Sequence, residues 1–350
     1  MLRGIKWQYL GLVGVLIGLG HGCNRLRPAS LHDYEAAQRL YRHRQMRACL
    51  SASRSGLRGI ARERHPDLYF RYRLLEAASL VGLKDHQAAL SILAEPVPAS
   101  MRGSPEAVLW RMNLGMAHLY ASDFNAATIE LRGALEAAKA LRSNSLVAEV
   151  QARLGALALR SGDNATAETL LRSALDEATR EGNSSLRVIA LGNLGVLLTQ
   201  SFRLEEAVYW QEQAATEFRQ LGDLDSVARV TGNLGWTLLD LGDEDAALAR
   251  FREAEAASVK AGNRVEQLIW TGQIGNVQFQ REDFAAAEIS YRGAADLARA
   301  LDSRVELTWW LDKLATLALL HKDYAKAEAL LRESAQLGST MTRATPDLNG

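Results

Sequence analysis

The four-residue sequence GNLG occupies Gly192–Gly195 and occurs again, forty residues later, at Gly232–Gly235. Related sequences lie on the same spacing: MNLG at Met112–Gly115, ARLG at Ala152–Gly155 and GQIG at Gly272–Gly275. The closing glycine therefore recurs every 40 residues, and Ala315 occupies the next position of the series. A fixed period of this length indicates a repeat architecture rather than a single glycine-rich loop.

Two further positions carry small residues with the same period. The first holds Ala127, Ala167, Ala207, Ala247, Ala287 and Ala327. The second holds Ala134, Ala174, Ala214, Ala254, Ala294 and Ser334. A large apolar residue lies between them in five repeats, and Gln211 is the exception. Small residues at fixed positions let two helices approach closely, because a larger side chain would hold their backbones apart.

Short turn signals divide each repeat into two helical segments. In five repeats the first segment ends at a residue followed by aspartate, as at Gly162–Asp163. The aspartate can cap the second helix, and glycine can adopt the left-handed conformation that ends the first. Second segments end at pairs such as Gly182–Asn183. No alternating β-branched run interrupts the series, so the sequence predicts an all-α fold.

This pattern resembles the tetratricopeptide repeat, in which Leu-Gly precedes an alanine and an aromatic residue four positions later. Ala247 with Phe251 and Ala287 with Tyr291 match that second part. The resemblance covers six repeats over about 105–340 and implies an α-α superhelix. The repeat here has 40 residues rather than 34, and the family's leading tryptophan and closing proline are absent. The 40-residue form looks like that of kinesin light chains and of bacterial MalT-like and CHAT-associated arrays.

Residues 23–104 fit two degenerate helix pairs, which brings the array to about eight helix-turn-helix units. LLEAASLVGLKDHQAALSIL (Leu74–Leu93) fits the repeat pattern, with Asp85 in the turn. DYEAAQRLYRHRQMRACLSAS (Asp33–Ser53) fits a first pair with a capping role, since terminal repeats need a polar outer face. A proline-bounded loop follows at Pro96–Ser104, and residues 341–350 are predicted to form a disordered tail.

Residues 1–22 have the layout of a secretory signal, with Arg3 and Lys6 ahead of an apolar stretch over Leu10–Leu19. That stretch is shorter than the about 18 residues that indicate a spanning helix. The small residues before Cys23 resemble the lipobox of bacterial lipoproteins, which implies a lipid-modified cysteine. We therefore expect association with a membrane, at the periplasmic or extracellular face of a bacterial envelope. An uncleaved anchor at the inner membrane facing the cytoplasm and a released secreted protein are alternatives.

The charge of the chain is unevenly distributed, although its 350 residues have a formal net charge of zero. Residues 23–73 contain twelve arginines and four acidic residues, a net charge of about +8, whereas residues 74–350 carry about −10. The basic block can contact the acidic remainder or an anionic membrane surface. Nucleic acid is not expected as a partner, because the acidic remainder would repel phosphate.

The sequence contains no motif that indicates catalysis, a metal or a cofactor. The two cysteines, Cys23 and Cys49, form no zinc motif, and the seven histidines lack ligand spacing. No Walker loop, zinc-protease motif or serine nucleophile motif occurs. GNLG lies within a predicted helix without a preceding strand, so a phosphate loop is excluded. We expect a non-enzymatic protein.

The candidate binding residues lie on the first helix of each repeat, because first helices line the concave surface of such arrays. The position two residues before the closing small residue holds only hydrogen-bond donors: Asn113, Arg153, Asn193, Asn233, Gln273 and Lys313. The resemblance implies that amides here bond the backbone of an extended ligand. Residues one turn away would add aromatic anchors and charge selection. These are Arg229, Trp236, Asn276 and Trp309. By contrast, Trp110, Trp270 and Trp310 share one repeat position and are expected to pack between helices.

The sequence therefore predicts a membrane-tethered scaffold that binds a protein or peptide segment in a concave groove, without a cofactor. With helices about 8–10 Å apart and an extended peptide rising about 3.3 Å per residue, one amide per repeat would contact about every third ligand residue. The alternative is a regulatory or sensor module that controls a separately encoded effector, such as a CHAT protease-like or signalling enzyme.

Overall fold

The computed structural model describes the backbone of residues 28–343 and the side chains of residues 32–337. This part of the chain forms sixteen α-helices and no strand, which confirms the predicted all-α solenoid. The helices are α1 (Pro28–Arg42), α2 (Met46–Arg58), α3 (Pro66–Gly82), α4 (His86–Leu93), α5 (Pro105–Tyr120), α6 (Phe124–Ala140), α7 (Asn144–Arg160), α8 (Asn164–Glu181), α9 (Ser184–Gln200), α10 (Leu204–Leu221), α11 (Leu224–Asp240), α12 (Glu244–Ala261), α13 (Arg264–Gln280), α14 (Phe284–Ala300), α15 (Arg304–Leu320) and α16 (Tyr324–Arg343). The signal-like segment and Cys23 lie outside the described residues.

Helices α5 to α16 form six pairs that we number as repeats 1 to 6. From repeat 2 onward the first helices begin at intervals of 40 residues, as all the second helices do. The pairs coincide with the repeats predicted over 105–340. Helix α16 continues to Arg343, so the beginning of the predicted tail is helical.

Five of the six turns within the repeats have the aspartate cap that the sequence predicts. In repeat 2, Gly162 has a φ of 81°, and the Asp163 carboxylate accepts a hydrogen bond from the Thr166 backbone N–H at 3.1 Å. Repeat 3 departs from this pattern, because Phe202 takes the left-handed position and Arg203 provides no side-chain cap. The Arg203 guanidinium instead pairs with Glu168 of repeat 2 at 2.9 Å. An inter-repeat ion pair therefore replaces the local cap.

The closing glycine of each GNLG-like sequence is a packing notch, as its spacing predicted. A Cβ atom on Gly235 would lie 2.7 Å from the ring of Phe251, which belongs to the second helix of the same repeat. Gly275 lies equally close to Tyr291. Because carbon atoms normally pack about 3.5–4.0 Å apart, these positions leave no room for a side chain. The glycine thus holds the two helices of one repeat together.

The first glycine of GNLG has a different partner. A Cβ atom on Gly232 would lie 2.2 Å from the ring of Trp270, which comes from the first helix of the next repeat. The same relation joins Gly272 to Trp310, and both tryptophans are buried. Gly192 has no such neighbour within 3.9 Å. The second glycine of GNLG therefore allows close packing within a repeat, and the first allows close packing between repeats. Trp270 and Trp310 pack between helices, as the sequence predicted.

Gln211 is buried where other repeats carry a large apolar side chain, yet its amide is satisfied. Its Nε2 donates to the Thr199 hydroxyl at 3.2 Å, and its Oε1 accepts from the Thr237 hydroxyl at 3.0 Å. Thr237 belongs to the next repeat, so this polar contact joins repeats 3 and 4. Buried polar groups are tolerated when they are hydrogen-bonded in this way.

The two N-terminal helix pairs extend the array. Helix α3 packs on α5 through Phe70 and Trp110, whose stacked ring centroids are 4.6 Å apart. The Trp110 indole N–H donates to the Leu93 carbonyl at the end of α4, at 3.2 Å. Helices α1 and α2 pack on α3 around the buried Cys49 and Tyr72. The loop between α4 and α5 contains a short 3-10 turn at Ala99–Met101.

Candidate ligand-binding face

The candidate binding surface is a single stripe along the first helices. It comprises the positions ten, six and two residues before the closing small residue, and one and five residues after it. At 3.6 residues per turn these positions fall within an arc of about 80°. We call this stripe the groove face. Every binding residue predicted from the sequence lies on it.

The free amides of the groove face are in its middle. Asn193 and Asn233 are partly buried, and no hydrogen bond to either side chain is formed within residues 32–337. Gln273 accepts a hydrogen bond from the Asn276 amide at 2.9 Å, and the Tyr291 hydroxyl donates to Asn276 at 3.0 Å. These contacts orient the Gln273 amide and leave its NH₂ group without a partner in the described structure.

Asn113 departs from this series. Its side chain is only 5% exposed, and its amide donates to the Leu109 carbonyl of its own helix at 2.7 Å. A buried amide that bonds its own helix offers no donor to a ligand. The first available amide is therefore Asn193 in repeat 3, whereas the sequence pattern had also predicted Asn113 as a binding residue.

The groove face becomes apolar and open at its C-terminal end. Val265 and Ile269 are one turn apart on α13, and Val305 and Trp309 occupy the equivalent positions on α15. Their exposed fractions are 58%, 36%, 64% and 59%. The Lys313 amine lies 5.7 Å from the centroid of the Trp309 ring, a cation–π contact. In repeats 3 and 4 the same positions hold Ser185, Ile189, Asp225 and Arg229, which are more enclosed.

The turn between α1 and α2 lies against repeats 3 and 4. Arg44 pairs with Asp223 at the start of α11, and its guanidinium carbon lies 5.6 Å from the centroid of the Phe218 ring. Arg47 donates to the Ala261 carbonyl at 2.8 Å and lies 3.4 Å from the Asp225 carboxylate. This basic turn therefore lies over the edge of the groove face in repeats 3 and 4, the middle of the array, and leaves repeats 5 and 6 open.

One further hydrogen bond holds the same turn. The Ser185 hydroxyl of repeat 3 donates to the Arg42 carbonyl at 3.2 Å. Burial raises the pKa of the Tyr41 phenol, with Arg153 and Glu149 of repeat 2 close enough to affect it in opposite directions. The basic N-terminal block thus contacts the acidic remainder of the chain, one of the arrangements that the charge distribution allowed.

The pKa values of two ionisable groups near this part of the groove are shifted by burial and by neighbouring charges. Burial raises the pKa of the Glu149 carboxyl above its ordinary value, although Arg153 opposes the shift. Burial lowers the pKa of Lys84, at the tip of the α3–α4 turn, and Arg229 lowers it further while Glu266 opposes.

The remaining chemistry of the described residues is limited. In this part of the chain no three His, Cys, Asp or Glu side chains come together as metal ligands. Within residues 28–343 none of the helices combines the length and hydropathy needed to cross a bilayer. Sequence reasoning missed Arg44, Asp223 and Asp225 as groove residues. The charge asymmetry was the only signal of their contact, and it did not say where the contact falls.

Comparison with known proteins supports the repeat assignment. Residues 186–258 match the family model described as tetratricopeptide repeat. No curated protein sequence shows significant similarity to the chain.

Solved structures share the fold at low identity. A Rap protein complexed with Competence and Sporulation Factor is 15% identical, with a TM-score of 0.62 over 91% of this chain and 99% of that one. A STAND protein with a tetratricopeptide repeat sensor, PH0952 from Pyrococcus horikoshii, is 12% identical, with a TM-score of 0.65 over 83% and 46%. The Rap conjugation gene regulator of plasmid pLS20, in complex with the Phr* peptide, is 15% identical, with a TM-score of 0.56 over 83% and 80%.

Similarity at this level of identity establishes the fold alone. The 40-residue period, the paired helices and the glycine notches extend on both sides of the matched segment. Residues 186–258 match the tetratricopeptide repeat model, and the described residues as a whole form an all-α solenoid of paired helices with the same fold.

Proposed function

We propose that this protein is a non-catalytic scaffold that binds a protein or an extended peptide segment on its groove face. One observation carries the proposal: the exposed apolar side chains of repeats 5 and 6, Val265, Ile269, Val305 and Trp309, are aligned on that face. Apolar side chains that are aligned and left open to solvent are typical of interaction surfaces. Aromatic residues such as Trp309 contribute most to binding energy at such surfaces.

Binding would combine apolar burial with hydrogen bonds to the ligand backbone. An exposed large side chain that becomes fully buried contributes about 1.5–3 kcal/mol, and Trp309, which is 59% exposed, would gain part of that on binding. The amides of Asn193, Asn233 and Gln273, one per repeat, would bond the backbone of such a ligand whatever its side chains. The Rap structures contain bound partners, Competence and Sporulation Factor in one and the Phr* peptide in the other. These partners support the same use of the fold here.

Site-specific photo-crosslinking in the native cell tests this function. A photoreactive phenylalanine analogue in place of Trp309 should yield a discrete crosslinked partner. The matched control replaces Ile289, which is 71% exposed on the second helix of repeat 5 and lies off the groove face. The proposal predicts a partner at the first position and none at the second. Equal crosslinking at both positions, or at neither, contradicts it.

A second candidate function is a sensor that controls a separate effector. It is favoured by the similarity to the STAND protein, whose tetratricopeptide repeats are described as a sensor and of which this chain covers 46%. A sensor must change shape when it binds, whereas a scaffold need not. Small-angle scattering with and without the crosslinked partner's binding segment separates the two. A changed radius of gyration of the repeat array favours the sensor.

We also propose that the protein is tethered to a membrane through its N-terminus. The basis is the signal-like sequence of residues 1–22 and the small residues ahead of Cys23. If the cysteine carries lipid, Cys23→Ser should move the protein from the membrane fraction to the soluble fraction. Unchanged fractionation of this variant would count against lipidation.

A further inference from the structure

The edge of the groove in repeats 3 and 4 contains a built site for an arginine side chain. Asp223 is only 6% exposed, and its carboxylate accepts the Nε–H of Arg44. The same carboxylate accepts the Ser226 backbone N–H at 3.1 Å, which fixes its position at the start of α11. The buried Phe218 ring lies beneath the guanidinium. A planar cation between a fixed carboxylate and an aromatic face is the arrangement that arginine prefers.

A second arginine site lies beside the first. Arg47 donates to the Ala261 carbonyl at 2.8 Å and faces the Asp225 carboxylate. Asp225 is held independently, because the Asn263 amide donates to it at 2.7 Å. The two carboxylates are therefore positioned without help from the arginines, Asp223 by the start of its own helix and Asp225 by Asn263 at the start of the next repeat.

The contact between this site and the α1–α2 turn is separable from the rest of the fold. Helices α1 to α3 have their own apolar core, which includes Cys49 and Tyr72. The apolar core of repeats 2 to 4, which includes Phe218 and Val227, is a different cluster. Hydrogen bonds, ion pairs and a cation–π contact join the two, and no apolar cluster of the described residues spans them. The exposed Arg47–Asp225 pair contributes little net stability, so the largely buried Arg44–Asp223 pair is the main contact that must open. The turn can therefore leave the site without unpacking either core.

We propose that the α1–α2 turn is an intramolecular occupant of this site, and that ligands carrying arginine at the spacing of Arg44 and Arg47 compete with it. This inference rests on the proposed peptide-binding function. It adds that the ligand carries arginine and that the α1–α2 turn controls access to the site. A docked turn reduces the apparent affinity by the fraction of molecules in which the site is open. A ligand that displaces the turn also uncovers the groove face of repeats 3 and 4.

The test uses the full chain and a fluorescent synthetic peptide of residues 38–50, with serine in place of Cys49. In the Arg44→Ala/Arg47→Ala protein the native turn no longer occupies the site. This variant should bind the peptide about tenfold or more tightly than the native protein does. A peptide with alanine at both arginine positions should not bind. Asp225→Asn in the double-variant background should weaken binding of the arginine peptide.

A matched control removes the same charge elsewhere on the N-terminal helices. Arg58 and Arg64 are exposed and make no ion pair with the described residues. Arg58→Ala/Arg64→Ala should therefore bind the peptide as weakly as the native protein does. If Arg44→Ala/Arg47→Ala loses helical content, Arg44→Lys/Arg47→Lys serves instead, since lysine keeps the charge but not the planar fork.

The proposal is overturned if the peptide binds neither protein, binds native and double-variant proteins equally, or binds without its arginines. Unchanged binding after Asp225→Asn also overturns it. Crosslinking at Trp309 is independent of these carboxylates. A partner crosslinked there, together with a failed peptide test, leaves groove binding intact and removes only the arginine site.

Discussion

Replacing Gly232 with alanine adds one methyl group where the ring of Trp270 leaves no room. The new Cβ atom would lie 2.2 Å from the ring, whereas carbon atoms pack at about 3.5–4.0 Å. The ring or the helix must shift by more than about 1 Å, and overpacking of this kind costs about 1–3 kcal/mol. Alanine also gains about 0.8–1.0 kcal/mol over glycine in a helix. The two terms leave a net destabilisation of up to about 2 kcal/mol.

Gly192 provides a matched control within the same four-residue sequence. A Cβ atom there would meet nothing nearer than Phe218 at 3.9 Å, an ordinary contact. Only the helix-propensity gain remains, so Gly192→Ala should stabilise the protein by about 0.5–1 kcal/mol. The repeat position of Trp270 is held by Val230 in the preceding repeat, which explains the open space. Urea denaturation followed by circular dichroism measures both variants.

A double-variant cycle identifies the cause. Trp270→Val reproduces the side chain that faces Gly192, so Gly232→Ala should become neutral or stabilising in that background. The coupling free energy should be about 1 kcal/mol or more. If Gly192→Ala and Gly232→Ala change the free energy of unfolding by the same amount, or if the cycle shows no coupling, the packing account of GNLG is refuted.

Three further outcomes follow from named contacts. Burial raises the pKa of Glu149 above its ordinary value of 4.5, so the folded state favours the protonated carboxyl. The free energy of unfolding that this protonation contributes is lost as the pH rises above 4.5. Glu149→Gln should therefore gain stability relative to the native protein between pH 4 and pH 7 in urea titrations, and a pH-independent difference would refute this. Asp243→Ala removes the carboxylate that accepts the Ala246 N–H and should cost about 1 kcal/mol, seen as a lower denaturation midpoint. Trp309→Ala should leave the free energy of unfolding within about 0.5 kcal/mol while abolishing partner binding, since the ring is exposed.

Much of the fold follows from local sequence signals. Asp163 and Asp243 begin helices because a side-chain carboxylate satisfies a free backbone N–H within three residues. Gly235 predicts a close helix contact because it recurs with the period of the repeat, and its partner Phe251 lies in the same repeat. Such contacts are between near neighbours in sequence, so periodicity suffices to predict them.

The candidate site was predicted only in part. The spacing placed Asn193, Asn233 and Trp309 on one helical face, because a helix turns through a constant angle per residue. It could not show that Asn113 is buried against its own helix. Burial depends on what covers a helix, and that covering comes from elements elsewhere in the chain.

The sequence by itself determined the repeat length, the division into paired helices, the glycine notches and the positions of the groove face, because each depends on residues within one or two repeats. Only the tertiary structure decided which part of that stripe is open. Rotations between successive repeats accumulate along a solenoid, and their sum brings Arg44 to Asp223, 179 residues away. The charge pattern shows that these segments attract each other, but the path of the superhelix selects which carboxylates the arginines meet.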